Sequence, residues 1–441
     1  MAQMTLEEKV GQLNLPSIGF DVTGPLLSED VEGKIRKGLV GGVFNSYTPI
    51  AVQRLQDIAV KETRLKIPLL FGYDVIHGHR TIFPIPLGLS ASWDMNLVER
   101  TARAAAVEAS PDGLNWTFSP MVDIARDPRW GRVSEGAGED VHLGSRIAEA
   151  MVRGYQGKDF SSPTHIMACI KHFALYGAAD AGRDYNTVDM SLQRMYNEYF
   201  PPYKAGLDAG AATVMSSFNE INGTPATGNR WLMHDVLRRD WGFKGFVVTD
   251  YTAINEMIQH GVGDGAEVAR LSIEAPVEMD MVGELFITHL PQLVKDGKVS
   301  EQTVNNACRL ILEAKWNLGL FKDPYRFINE ERSKTEMMSA DKIALAKEAA
   351  AKSMVLLKNA NATLPLKPVQ KVAFIGPLIK DKRNLIGNWS GAGDWRKAKS
   401  MWEALVEQGW ANEKNYALGC NLLENEALIK RLNDHDGMIA R

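Results

Sequence analysis

Six short apolar runs in this 441-residue chain end in polar residues of types that grip hydroxyl groups or attack carbon. One ends in Tyr73-Asp74, followed by His77 and His79. The next reaches Asp123 and the loop Arg126-Asp127-Pro128-Arg129-Trp130-Gly131-Arg132. The others run into Lys171-His172, Met215-Ser216-Ser217-Phe218-Asn219-Glu220, Asp250-Tyr251 and Asp280-Met281. Carboxylates beside Lys, His and Arg bind vicinal hydroxyls through charge-assisted hydrogen bonds. Tyr73, Trp130, Phe218 and Tyr251 offer faces on which a sugar ring can stack. A buried carboxylate kept ionised by Lys and Arg is a competent nucleophile. Taken singly, each residue has an ordinary reading: Asp250 as the N-cap of the next helix, Asp123 as the orienting partner of a loop arginine. Six polar ends on one face, with no such run on the opposite face, are read jointly as an active site.

The elements that must carry these residues alternate. Strand-like runs at 39–44, 68–73, 114–122, 166–173, 211–218, 245–249 and 274–279 are separated by helical patterns at 50–64, 96–109, 142–155, 192–207 and 230–241. Strands alternating with helices of this length imply βαβ units and a parallel sheet. The number and span predict an α/β fold, a (β/α)8-like TIM barrel, whose chemistry lies at the C-terminal strand ends. A doubly wound sheet lacks support, because no Gly-x-Gly-x-x-Gly follows the first strand. We expect a barrel over 1–320, a linker over 321–345 and, over 346–441, the beginning of a second α/β sandwich domain. In that region we expect a helix at 342–352, strands at 354–357, 371–376 and 415–418, and helices at 401–408 and 424–432. So few strands cannot cover a parallel sheet, so the sequence reads as stopping partway through a domain.

Composition excludes several classes. With 50 Lys+Arg against 54 Asp+Glu, the net charge of −4 gives no basic excess for nucleic acid or an anionic membrane. No run approaches ~18 consecutive apolar residues, so no membrane span is expected. Cys169, Cys308 and Cys420 are too few and too widely spaced for a disulfide framework or a zinc site, and are expected as buried free thiols. Thr5-Leu6-Glu7-Glu8 is a capping box that opens a helix, with no signal peptide before it. His77 and His79, two apart, form a metal pair only if extended, and are read as structural. Neither metal nor cofactor is expected.

The ordered motifs resemble glycoside hydrolase family 3, and within it bacterial β-glucosidases. They are Gly72-Tyr73-Asp74-Val75-Ile76-His77, Arg126 to Arg132, Ile170-Lys171-His172-Phe173, Asn222-Gly223-Thr224-Pro225-Ala226-Thr227 and Trp241 to Asp250. Asn317 to Tyr325 and Val355-Leu356-Leu357-Lys358-Asn359 continue the resemblance. It implies Asp250 as nucleophile. It also implies Asp74, Arg132, Lys171 and His172 as holders of the sugar hydroxyls, with Met215, Tyr251 and Phe218 lining the same subsite. Thr249-Asp250-Tyr251 departs from the family's usual Ser-Asp-Trp or Ser-Asp-His. The implied activity is exo-acting, retaining hydrolysis of terminal β-glucosyl residues, on β-glucosides and cello-oligosaccharides, in the periplasm or outside the cell.

A retaining glycosidase needs a second carboxyl about 5–5.5 Å from the first. In two-domain relatives this is a Glu in the second domain, and the chain is expected to lack it. Glu424 and Glu426 fall on the terminal helical pattern and read as surface. Single-domain relatives use a His/Asp dyad on the loop after the Lys-His strand, but residues 177–184 contain no His. A homodimer, or a C-terminal half supplied separately, would then complete the site. Two competing readings are a Schiff-base aldolase built on Lys171 and a sugar-binding protein without catalysis.

Overall fold

Apolar runs become the staves of a barrel. The computed structural model describes residues 1–18, 28–367 and 371–422, so the helix expected at 424–432, with Glu424 and Glu426, lies outside the described residues. The staves are β1 (Asn14–Leu15), β2 (Gly42–Phe44), β3 (Leu70–Tyr73), β4 (Trp116–Thr117), β5 (Cys169–Phe173), β6 (Thr213–Ser216), β7 (Phe246–Val248) and β8 (Asp280–Met281). All their pairings are parallel: β2 with β3, β3 with β4, β5 with β6, β6 with β7 and β8 with β1. Isolated parallel bridges close the remaining seams: Ser17 with Phe44, Trp116 with Met167 and Met121 with Lys171, and Val248 with Met279. The result is the eight-stranded closed barrel that the alternation predicts.

Two strands differ from the sequence reading. β1 was not anticipated, because two residues directly after the first helix carry no periodic signal. The last run was placed at 274–279, whereas Glu274 ends the preceding helix Gly265–Glu274 and the strand is Asp280–Met281. The helices start on sequence-encoded caps. Thr5 and Glu8 form the predicted capping box, and Asp94 and Asp140 accept from Leu97 N and Leu143 N at the starts of Met95–Ala109 and Val141–Gln156. The barrel interior is filled by rings. Trp116 is fully buried against the edges of Phe118 and Phe246, and its indole N–H donates to Thr213 Oγ1 at 2.8 Å. Gly72 makes room for this stack, since a Cβ there would lie 2.6 Å from the Phe118 ring.

Residues 321–352 are fastened to the barrel wall. Tyr325 donates to Asp57, Gln56 donates to Pro324 O, Ser333 donates to Asp112, and Ile328 bridges Asp112. Helix Glu330–Thr335 stands inside the segment expected as linker. Helix Ala340–Lys352 then lies along the barrel, with Glu348 paired to Arg100 and Lys352 to Asp94. Glu108, fully buried, ties the strap down by accepting from Arg80 N, Thr81 N, Thr81 Oγ1 and Met338 N at 2.6–2.9 Å. Glu108→Ala leaves those donors buried without their acceptor and is expected to cost about 3 kcal/mol in urea unfolding.

Beyond residue 352 the described residues of the second region hold one parallel pair, β9 (Phe374–Ile375) with β10 (Tyr416–Ala417), and helix Met401–Glu407 with a Ser400/Glu403 capping box. Trp402 packs edge-on to Tyr416, and Lys380 Nζ sits over both rings. The strand expected at 354–357 does not form. No described strand pairs with it, and Leu357 is 91% exposed. Cys169 and Cys308 are buried free thiols as expected, whereas Cys420, just past β10 on this thinly covered sheet, is exposed.

Candidate active site

Asp250 lies two residues past β7, its side chain 12% exposed, and the two carboxylate oxygens differ. Oδ1 accepts from Tyr251 N at 2.7 Å. Oδ2 is buried with no hydrogen-bond partner among the described residues, 3.5 Å from His172 Nε2 and 3.9 Å from Arg132 Nη1. Burial pushes the carboxyl up to about 6, against the pull of Arg132 and Lys171. Asp250 does not cap the following helix, where Thr252 occupies the N-cap position.

The neighbours of Asp250 are held from behind. His172 Nδ1 and its backbone N both meet Asp123 Oδ2 at 2.9 Å, and Tyr203 donates to Asp123 Oδ1. Burial, aided by Arg132 and Lys171, drives the His172 pKa well below its ordinary value, so the ring is neutral. Its Nε2 accepts from Arg132 Nη2 at 2.8 Å, which places the single proton on Nδ1. The 3.5 Å approach of Nε2 to Asp250 is therefore a lone pair facing a carboxylate, with Arg132 donating to the ring and its charge 3.9 Å from the carboxylate. Asp123 thus orients a histidine instead of the loop arginine its position suggested, and burial pushes it up to about 6 against those hydrogen bonds.

Arg132 is locked by a residue the sequence reading missed. Glu135, three positions on and fully buried, takes Arg132 Nε and Nη2 in a bidentate pair at 2.7 and 3.0 Å. Burial raises the Glu135 pKa, but Arg132 more than offsets this and keeps it below the usual carboxylate range. The i,i+3 spacing in Gly131-Arg132-Val133-Ser134-Glu135 was the available signal. The Arg132 guanidinium lies between the Tyr176 ring at 5.4 Å and the Trp389 ring at 5.9 Å. Lys171 Nζ donates to Asp74 Oδ1 at 2.9 Å and lies 5.4 Å from the same Trp389 ring.

Trp389 belongs to the second region, and nothing in the barrel pattern pointed to it. Its segment is seated on the barrel mouth. His77 Nε2 meets Asn388 O at 2.6 Å, Asn388 donates to Ser134, and Arg80 donates to Ala392 O. Gly391 permits this approach, because a Cβ there would lie 2.2 Å from the Tyr73 hydroxyl. His79 instead faces Asp112 at 2.9 Å.

The structure thus brings Asp74, Arg132, Lys171, His172 and Asp250 together. Tyr251, next to Asp250, packs against the Phe218 cluster, with its ring edge-on to Phe44 at 6.1 Å and its hydroxyl bonded to Ser17. Met215 is buried in β6 within the main core. Phe218 joins Met121, Trp130, Tyr176 and Ala253 in a separate apolar cluster at the mouth. Trp130, 1% exposed and packed against Tyr176 with its N–H on Asp184, is not available as the stacking face its position suggested.

A closed parallel barrel with a carboxylate, two cations and a neutral histidine gathered at its C-terminal strand ends defines a barrel of the enzyme type. The chain matches the glycosyl hydrolase family 3 N-terminal domain over residues 5–314 and the C-terminal domain of that family over 354–432. It belongs to glycoside hydrolase family 3. It is 44% identical to a periplasmic β-glucosidase of Salmonella typhimurium over 438 residues, which is 98% of this chain and 57% of that protein. A putative β-xylosidase of Formosa agariphila is 34% identical, over 86% of this chain and 53% of the relative. The crystal structure of a Listeria innocua β-glucosidase with isofagomine superposes with a TM-score of 0.88 at 40% identity, covering 95% of this chain and 58% of that one. The chain therefore spans a little over half the length of these relatives.

Proposed function

We propose that this chain carries the glycone site and nucleophile of a retaining, exo-acting β-glucosidase. The observation that carries the reading is the buried Asp250 Oδ2, without a hydrogen-bond partner among the described residues and 3.5–3.9 Å from His172 and Arg132, in a cluster that also holds the Lys171–Asp74 pair. In this reading Lys171 and Asp74 hold the hydroxyls of a terminal glucosyl unit. Asp250 Oδ2 attacks C1, the glycosidic oxygen leaves with its electron pair, and a glycosyl ester forms for water to hydrolyse. Arg132 supports the ionised form of Asp250, and the Asp123–His172 pair fixes Arg132 from the other side.

Three carboxyls of the cluster, Glu135, Asp74 and Asp123, do not supply the leaving-group proton. Glu135 is held ionised by Arg132, Asp74 is paired with Lys171, and Asp123 is occupied by His172 and Tyr203. The donor is thus a carboxyl outside this cluster. A Schiff-base role for Lys171 is disfavoured by the same geometry, since Nζ is committed as a donor to Asp74. β-Glucosides and cello-oligosaccharides are the proposed substrates. Similarity to a periplasmic relative supports an exported protein, and no described helix is long and apolar enough to cross a membrane.

Incubation with dinitrophenyl 2-deoxy-2-fluoro-β-glucoside tests the nucleophile without the acid, because dinitrophenolate departs unprotonated. Intact-mass analysis is expected to show one fluoroglucosyl unit, mapped to Asp250. A folded, glucose-binding chain that takes no label removes Asp250 as nucleophile. The labelling rate also has a signed pH dependence. Protonated Asp250 cannot attack, so with its pKa near 6 the rate should fall about tenfold per pH unit below that value and level off above it.

A further inference from the structure

We propose that His77 is a positioning residue for the sugar site: its Nε2–H holds the Asn388 carbonyl, and through that peptide it sets the Trp389 ring over Lys171 and Arg132. The inference rests on the glucosidase reading and adds to it a residue that touches none of the reacting atoms.

His77 is buried on the loop after β3, and both of its ring nitrogens face carbonyl oxygens. Nδ1 is 2.9 Å from Phe83 O, on the same loop, and Nε2 is 2.6 Å from Asn388 O, in the second region. Phe83 N in turn donates to His77 O and Gly78 bridges Ile82, so loop 77–83 closes on itself and gives the ring a firm base. Burial holds the ring below histidine's ordinary pKa, against the pull of the two carbonyls and Glu135, so it is neutral near pH 7. A neutral ring has one proton for two carbonyls. The shorter contact places it on Nε2, where it ties the second region to the barrel.

The carbonyl that His77 meets belongs to the peptide joining Asn388 to Trp389. Trp389 has φ +54°, a left-handed conformation that a bulky residue keeps only when its surroundings fix it. Pinning Asn388 O fixes one side of that torsion directly. The indole is held on the other side. Its side chain hydrogen-bonds Glu135, and its ring lies 5.4 Å from Lys171 Nζ and 5.9 Å from the Arg132 guanidinium. The Asn388 side chain donates to Ser134 at 2.9 Å and Arg80 donates to Ala392 O at 2.8 Å, but neither grips that peptide. Loss of the His77 bond therefore releases the left-handed turn, and the indole with it. Trp389 faces the cations that hold the sugar and not the reacting carbon, so its release weakens binding in ground and transition states alike.

Two amides separate the two ring nitrogens. The terminal amide of Asn occupies the place of Nδ1, and that of Gln the place of Nε2. The probe is dinitrophenyl 2-deoxy-2-fluoro-β-glucoside: Asp250 Oδ2 bonds to C1 as the C1–O bond breaks, and dinitrophenolate leaves with the pair. Its burst at increasing probe concentration gives KI and kinact. We expect His77→Asn to raise KI about tenfold with kinact changed less than about twofold. Amide hydrogen exchange over 388–392, read on the unlabelled protein, should quicken in the same variant. His77→Gln should restore both toward wild type. In a Trp389→Ala background, His77→Asn should add nothing further to KI. Ser134→Ala, which leaves loop 77–83 untouched, should show the same pattern more weakly, so the tie is read even where a change at 77 unfolds its loop. Equal effects of His77→Asn and His77→Gln, or the milder effect in His77→Asn, overturn the Nε2 bond. An undiminished effect of His77→Asn without Trp389 overturns the positioning role. A wild-type chain that takes no label overturns the glucosidase reading, and the exchange of His77→Asn against His77→Gln then decides the tie by itself.

Discussion

Asp250→Ala is expected to lower kcat/KM for an aryl β-glucoside by about 10⁴-fold or more and to abolish the fluoroglucosyl adduct, because no other group can form the glycosyl ester. The substitution removes a carboxylate whose Oδ2 bonds to nothing in the described structure, so little folding energy is lost with it. Its diagnostic consequence is stereochemical. With the carboxylate gone, the vacated space admits a small anion, held by the Arg132 and Lys171 charges that had faced Asp250. Azide should restore turnover of a dinitrophenyl glucoside and give the α-glucosyl azide, the product of a single inversion at C1. A residue that merely positioned the sugar would give no such product. Asp250→Asn, which keeps the shape, should remain folded by circular dichroism and be equally unreactive with the fluoro-sugar.

Arg132→Met has the second largest expected effect, and it acts on two quantities that can be measured apart. Stability should fall by about 3–5 kcal/mol, because Glu135 is left as a buried carboxylate without its partner. Catalysis should fall about 10²–10³-fold, as Asp250 loses the nearest guanidinium and His172 loses the donor to its Nε2. The acid limb of the labelling profile should move upward from about 6 as well, since Arg132 is the largest influence opposing burial at Asp250. The double variant Arg132→Met/Glu135→Met separates the effects. It should recover most of the stability while leaving labelling slow and its pH limb displaced, because the hydrophobic pair repairs the packing but supplies no charge.

The barrel was legible because its logic is local. β-Branched runs such as 245–249 and amphipathic stretches such as 142–155 each state their own conformation, and polar residues at strand ends state the face. β1 was not legible, since a two-residue strand becomes one only by pairing with β8, 266 residues away. The site divided in the same way. Asp250, Lys171 and His172 stand at strand ends where position alone implicates them. Glu135 and Tyr203 act through other residues, and their roles appear only once Arg132 and Asp123 are placed. Trp389 had no local signature at all, because a single indole in a glycine-rich stretch acquires meaning from the two cations beneath it. The strand expected at 354–357 shows the reverse error, an apolar run taken for a strand where no partner strand pairs with it among the described residues.

The seating of Trp389 over Lys171 and Arg132 has a thermodynamic corollary. The ring over the two cations comes from a region that is otherwise held to the barrel by a few hydrogen bonds, among them those of His77, Arg80 and Ser134. Any free energy that an occupant draws from the indole is also free energy of docking that region, by linkage. Sugar occupancy and closure of the second region onto the barrel are then two readings of one equilibrium. Loosening either contact surface weakens the other by the same factor.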